Sequence, residues 1–346
     1  MRRFLLFFLL ALFLSQPAAA LELIPPEPPE QAQSWMPQNK EDFGLGLEEM
    51  LKQALRQLRP DLLEASRICI SVIAAVMLVS ILKSFSKSME FVTDLAGTAS
   101  ISGGLLLCSN AMIRLGTEAI TEISEYGKLL LPVMTAALSA QGGITKSAAL
   151  FAGTAGFMAL LESIIRNLLV PMTYLYLAFG VGYSAMGEES LQKLRDLMKS
   201  VITWSLKTML TVFTSYIGLT GVVSGTTDAA ALRAAKATVS TVVPVVGSIL
   251  SNASETMLLS AGMLKNAAGI YGIFAVAAIF LSPFLRILAH YWILKLTSAV
   301  CAVFGSSRIS GLVADFSAAM GLLLAMTGSG CLFLLIGTVC FMKGVG

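Results

Sequence analysis

The sequence predicts an all-α protein that crosses a membrane several times. Hydrophobic residues make up 56% of the chain, charged residues make up 13%, and the mean hydropathy is +0.79. Soluble domains carry about 25% charged residues, so the lower charged fraction here indicates that most of this chain lies in a lipid environment. The prolines form a repeated pattern, since Pro132 and Pro171 are as far apart as Pro244 and Pro283. We therefore expect a polytopic helical membrane protein with an internal repeat, each half an interrupted hairpin (re-entrant or kinked) plus two spans.

The composition argues against several classes of function. A net charge of +3 supplies no basic field for nucleic acid. The one histidine and five scattered cysteines form no metal-ligand motif, and the sequence has no GxxxxGK[ST] loop for nucleotide phosphates. Because no nucleophile stands beside an activating base, we expect neither an enzyme nor a cofactor.

The N-terminal 65 residues are predicted to begin outside the cytoplasm. Residues 1–20 have the form of a signal peptide, with Arg2 and Arg3 before an apolar core and Ala18-Ala19-Ala20 as a cleavage site. The proline-rich stretch after residue 21 is predicted to be an extended linker that buries no core. Together with an amphipathic helix, this linker forms an external unit over residues 21–65.

The amphipathic helix carries leucines on one face, with charged residues between them, and it includes Leu51, Leu55 and Leu58. Such a helix lies on a membrane surface or against a partner. We take these three leucines as a candidate partner-docking face. Pro60 is expected to bend or end the helix.

Residues 66–128 are predicted to hold two spans and an acidic external loop. The first span covers residues 68–82, and Lys83 and Lys87 after it indicate a cytoplasmic loop. The second covers residues 95–115 and is rich in small residues that permit close helix packing. The acidic residues after it are Glu118, Glu122 and Glu125.

The first repeat covers residues 129–224. Its apolar start is broken at Gln141, Gly142 and Gly143, and two spans follow at 167–187 and 201–224. The polar stretch between those spans is predicted to be a cytoplasmic interfacial helix. Paired interrupted segments point to a midplane pathway in transporters. The candidate pathway or hinge residues in this half are Pro132, Gly142, Gly143 and Pro171.

The second repeat covers residues 225–346 and begins with a predicted polar external loop at 225–236. Its interrupted segment is expected to break near Asn252 and Glu255 and again at Lys265, before spans at 283–304 and 316–342. Six full spans result if each interrupted segment enters and leaves on one side. The candidate pathway or hinge residues in this half are Pro244, Asn252, Glu255 and Pro283.

Ionisable residues inside apolar stretches are a further functional indication, because lipid disfavours them. Arg286 and His290 are one helical turn apart and are candidate intramembrane charges. Glu162 and Arg166 have the same spacing, so these two are expected to neutralise each other.

Two segments carry a resemblance to a known family. VPVVGSILSNASETMLLSAGMLKNAAGIYG at 243–272, preceded by LLLPVMTAALSAQGG and by the signal and linker, resembles the stage III sporulation protein AE family from Leu45 onward. The resemblance implies a multipass component of the A-operon channel or secretion complex, which links mother cell and forespore and is needed for late forespore development. It also implies a place in the mother-cell-derived membrane around the forespore.

The same resemblance implies the partners, which are the lipid bilayer, the other A-operon membrane proteins and their ATPase. A separate ATPase agrees with the missing nucleotide motif here. A second function stays open, in which the chain is a secondary transporter or permease and its two proline-containing interrupted segments form the substrate path.

Overall fold

The computed structural model describes residues 25–39, 42–85, 90–242, 247–304 and 307–343, and it describes the side chains of these ranges except at 83–85, 90–91, 94, 221–242, 247–265, 304 and 307. All regular structure in these ranges is helical. The helices in chain order are α1 Glu30–Gln33, α2 Phe43–Phe85, α3 Glu90–Ala140, α4 Ile144–Ile164, a π-helical turn Ile165–Leu169, α5 Val170–Met186, α6 Glu189–Val242, α7 Gly247–Phe304 and α8 Ser307–Met342.

The predicted fold class, a helical membrane protein, is confirmed. Five stretches of the described residues are long and apolar enough to cross a membrane: Phe43–Leu82, Leu95–Ala140, Ile144–Met186, Asn266–Val303 and Arg308–Met342. The remaining predicted span, residues 201–224, is not among them, and the side chains of its last four residues lie outside the described part of the chain.

The helices are longer than a bilayer requires. Helix α2 has 43 residues, and at about 1.5 Å per residue it extends about 65 Å. The hydrocarbon core of a bilayer is only about 30 Å thick. Part of the helical bundle therefore lies outside the hydrocarbon.

Helices α2 and α7 run side by side in the same direction. The ring of Phe43 stacks on that of Phe274 with centroids 5.5 Å apart, and further along Asp61 faces Arg286. Helix α3 returns beside α2, since Gly97 lies against Val79. The C-terminal ends of α2, α5 and α7 therefore share one end of the bundle with the start of α8, which contacts α5 through a hydrogen bond from Ser184 Oγ to the Arg308 carbonyl at 3.0 Å.

The core of the bundle forms around α8. Phe316, Phe333 and Phe341 of this helix are fully buried. The ring of Phe333 stacks on Phe213 of α6 at 4.3 Å between centroids. Small residues bring the helices into close contact, because Gly153 of α4 lies directly under the ring of Tyr216.

The break predicted at residues 141–143 is confirmed. Helix α3 ends at Ala140, and Gly142 adopts a positive φ of 89°, which glycine does without steric cost. The amide of Gly143 donates to the carbonyl of Leu138 at 3.2 Å and satisfies one of the last helical acceptors. Helix α4 then starts at Ile144, so α3 and α4 form a tight hairpin.

The breaks predicted in the second segment are wrong within the described residues. Helix α7 is continuous from Gly247 to Phe304 and passes residues 251–255 and 265–266 without interruption. Polar side chains there do not stop the helix, because the backbone hydrogen bonds are internal and helix propensities differ by under about 1 kcal/mol per residue. Pro244 and the side chains of Asn252 and Glu255 lie outside the described residues. The internal repeat is not confirmed.

Three other predicted boundaries also differ. Helix α2 continues through Pro60, so the proline does not end it. The acidic residues at 118–125 belong to α3 and not to a loop. Residues 225–236 are helical within α6. Polar residues at 118–125 and 225–236 therefore do not end these two helices.

The proline-rich segment is packed and is not a free linker. In residues 25–39 the side chains of Ala32 and Trp35 are buried in the core. Tyr126 donates to the carbonyl of Pro26 at 3.2 Å, and Gln53 Nε2 donates to that of Ser34 at 2.8 Å. The predicted signal peptide at residues 1–20 lies outside the described residues.

Candidate functional site

The first half of α2 presents an apolar stripe to solvent. Leu51 is 60% exposed and Leu55 is 63% exposed, whereas Leu58 is half-buried and packs on the core. Leu47, one turn before Leu51, is 51% exposed and extends the stripe. The structure therefore leaves two of the three predicted docking leucines available and adds one. We call Leu47, Leu51 and Leu55 the leucine face.

Charged side chains border the leucine face on its solvent side. Glu48 and Lys52 pair at 2.6 Å. Arg56 and Arg59 are exposed, and no ion pair joins either of them to another described residue. The border therefore carries two cations that no described residue of the chain neutralises.

Arg286 and His290 meet a third ionisable residue that sequence reasoning missed. Asp61 is only 3% exposed, and its Oδ1 lies 3.7 Å from Arg286 Nε and 3.5 Å from Gln57 Nε2. Its Oδ2 has no hydrogen-bond partner among the described residues. No local signal marks Asp61 as buried, because only the packing of α2 on α7 covers it.

The hydrogen bond of His290 also determines which of its ring nitrogens carries the hydrogen. The ring is buried, and Nδ1 lies 2.8 Å from the carbonyl oxygen of Arg286. Because a carbonyl only accepts, Nδ1 carries the hydrogen. The contact of Asp61 with Arg286 thus joins α2, which carries the leucine face, to α7, whereas the bond of His290 stays within α7.

A second buried network joins α5, α6 and α8. Arg195 Nη1 lies 2.8 Å from Asp315 Oδ2, and the Tyr176 hydroxyl donates to Asp315 Oδ1 at 3.1 Å. Burial by itself would lower the pKa of Arg195, but the carboxylates of Asp315 and Asp196 outweigh burial and raise that pKa. No local spacing in the sequence pairs Arg195, on the predicted interfacial helix, with Asp315.

Glu162 and Arg166 do pair, at 3.5 Å, and Ser124 of α3 also donates to Glu162 at 2.7 Å. The π-helical turn Ile165–Leu169 follows directly. Pro171 accounts for the π-helical turn, because this residue has no N–H to donate to the carbonyl of Asn167. The predicted hinge at Pro171 therefore coincides with a local change of helix geometry.

The other predicted pathway residues lie on different helices. Pro132 is inside α3 and exposed, whereas Pro283 is inside α7 and buried. Pro283 lines a cavity of about 50 Å³ together with Glu118 and Glu122. Gly142 and Gly143 form the turn between α3 and α4. Within the described ranges, no three His, Cys, Asp or Glu side chains are placed to hold a metal ion.

Comparison with known proteins now identifies the family. The family model described as stage III sporulation protein AE matches residues 31–344. A Bacillus subtilis (strain 168) protein named "Stage III sporulation protein AE" is 25% identical over 197 residues, which are 57% of this chain and 49% of that protein. The match thus spans about half the length of that curated relative, and no solved structure matches the chain. Because the family model covers most of its length, this chain belongs to the stage III sporulation protein AE family.

Proposed function

We propose that this protein is a non-enzymatic, multipass membrane component of the A-operon channel or secretion complex that links mother cell and forespore. Membership of the family supports a role in sporulation, and the five apolar stretches support a place in a membrane. In sporulating cells that membrane is the mother-cell-derived one around the forespore. The partners are the other A-operon membrane proteins and their ATPase, and the assembly serves late forespore development.

The observation that carries the docking role is the leucine face. Leu47, Leu51 and Leu55 are each more than half exposed. Covering a leucine side chain contributes about 1.5–3 kcal/mol, so a partner that buries this face gains affinity from each leucine. Contiguous exposed apolar residues with a charged border are typical of a protein interface.

Assembly tests this proposal directly. The double variant Leu51→Ser and Leu55→Ser removes the centre of the leucine face, and Leu78→Ser removes an equally exposed leucine (61%) from the apolar second half of α2. We expect the double variant, but not Leu78→Ser, to lose co-purification with the other A-operon products from sporulating cells. Unchanged co-purification of the double variant would remove the support for docking here.

A permease is the second candidate, and the helix irregularities favour it. The left-handed turn at Gly142 and the π-helical turn before Pro171 are the kind of discontinuity that lines transport pathways. In a cysteine-free chain, single cysteines at Gly143, Ser254 and Glu255 report access of water to both segments through an impermeant thiol reagent. Labelling that falls on assembly supports a conducting path, whereas inert positions make these segments packing elements.

A further inference from the structure

We propose that the leucine face binds an amphipathic helix of another protein, and that the flank of this partner helix facing Arg56 and Arg59 is acidic. The inference rests on the proposed function only in taking the leucine face as a docking surface. It goes further by assigning the fold and the charge of what docks there.

Charged side chains around the leucine face favour water over hydrocarbon on this part of α2. Glu48, Lys52, Arg56 and Arg59 are all exposed, and ionisable side chains are costly in hydrocarbon.

The spacing of the leucines suits a helix as the occupant. Leu47, Leu51 and Leu55 recur every four residues and so form one ridge, about 12 Å long, on a preformed helix. Ridges of this kind pack into the groove of a second helix. An amphipathic helix that lays its apolar face on such a stripe is a common mode of recognition.

The charges that border the leucine face determine which charge the flank of the partner helix should carry. Glu48 and Lys52 neutralise each other at 2.6 Å. Arg56 and Arg59 have no ion-pair partner among the described residues, so a docked helix places its own flank against two free guanidinium groups. Carboxylates there form bidentate pairs with arginine, whereas lysines there add repulsion.

A second copy of this chain fits the face poorly. Two copies inserted the same way into one bilayer hold their α2 helices in the same direction. A twofold axis between them would bring Arg56 and Arg59 towards the same arginines of the other copy, and opposed like charges are unfavourable. The occupant is therefore a different protein.

Site-specific photo-crosslinking in sporulating cells tests the proposal. A photoreactive amino acid replaces Leu51, and in the control it replaces Leu78, an equally exposed leucine (61%) in the apolar second half of α2. After illumination, the crosslinked product is isolated through a tag on this chain, and the attached peptide is sequenced by mass spectrometry. We expect a crosslink at Leu51, but not at Leu78, to an amphipathic segment with Asp or Glu beside its apolar face. Lipid, the same chain, a segment without such acids, or no adduct would each overturn the proposal.

Charge reversal provides the second arm. The double variant Arg56→Glu and Arg59→Glu should lower the crosslink yield at Leu51 by about fivefold or more, since each exposed pair contributes up to about 1 kcal/mol. The matched variant Arg56→Lys and Arg59→Lys keeps the charge and should stay within about twofold of the wild-type yield. Equal yields for reversal and wild type would contradict an acidic partner flank.

The two proposals fail in different ways. An acidic amphipathic helix from a protein outside the A-operon group would support this inference and contradict the proposed assembly. A basic or neutral segment from an A-operon protein would do the reverse.

Discussion

The guanidinium of Arg195 and the carboxylate of Asp315 meet at 2.8 Å inside the bundle, although the two residues are 120 positions apart in the chain. Arg195 lies in the first turns of α6, and Asp315 lies in the third turn of α8. Both side chains are largely shielded from water. Their contact fixes how the polar start of α6 sits against the central helix.

Breaking this pair should destabilise the protein. Asp315→Asn leaves Arg195 buried without its main anionic partner, which costs about 3 kcal/mol of the free energy of unfolding. The double variant Arg195→Met and Asp315→Leu should cost less than the two single changes together, because no charge stays unpaired. Denaturant unfolding in lipid nanodiscs measures these differences. Lys193→Met, on the exposed side of α6, is the control, and an equal effect there would contradict the special role of the pair.

Two glycines of α4 allow a close contact with α6, at Gly153, to be compared with an open position, at Gly156. Gly153→Ala places a methyl group on the ring of Tyr216, whereas the same change at Gly156 meets nothing within 4 Å. Overpacking at Gly153 should lower the free energy of unfolding by about 1–3 kcal/mol. Gly156→Ala should leave it unchanged or raise it by about 0.5–1 kcal/mol, because alanine favours a helix over glycine. Thermal unfolding of both variants decides the matter, and similar melting temperatures would show that α4 and α6 are not in close contact.

The contact between Asp61 and Arg286 predicts that a second substitution restores part of the stability that the first one removes. Arg286→Gln removes the cation beside a buried carboxylate and should destabilise the protein by about 1–3 kcal/mol. Adding Asp61→Asn removes the charge that was left, so the double variant should recover part of the loss. A double-mutant cycle on the free energy of unfolding gives the coupling between the two residues. A coupling of zero would mean that the 3.7 Å contact contributes nothing to stability.

The π-helical turn before Pro171 should depend on the proline. Pro171→Ala restores an N–H that can donate to the carbonyl of Asn167, so the chain can return to α-helical pairing through residues 165–169. Hydrogen exchange should then show a protected amide at position 171. Pro132→Ala in α3 is the control, because α3 is α-helical throughout. Rapid exchange at position 171 in the variant would mean that packing, and not the proline, maintains the turn.

The same change at Pro171 should also affect the buried network of Asp315. A shift in helical pairing rotates the residues that follow, and Tyr176 then no longer points its hydroxyl at Asp315. We therefore expect Pro171→Ala to reduce sporulation while the protein is still made and inserted. Normal sporulation would show that the irregularity is dispensable.

Some properties of the protein follow from its sequence alone. An apolar composition excludes a water-soluble fold, because there are too few charged residues to cover a surface. The break at 141–143 is also local, since Gly142 adopts a positive φ that other residues resist. Glu162 and Arg166 pair because helical spacing alone places them together. The residues at 243–272 carried the resemblance to the family that the family model then confirmed.

Tertiary packing decided the rest. Polar residues at 118–125 and 251–255 suggested ends of helices, but the backbone hydrogen bonds of α3 and α7 continue through them. Asp61 is buried only because α7 covers α2, and Trp35 only because the proline-rich segment folds back onto the bundle. The leucine face is exposed because no helix within the described ranges covers it. These features depend on contacts between residues far apart in sequence, which local spacing and propensity do not encode.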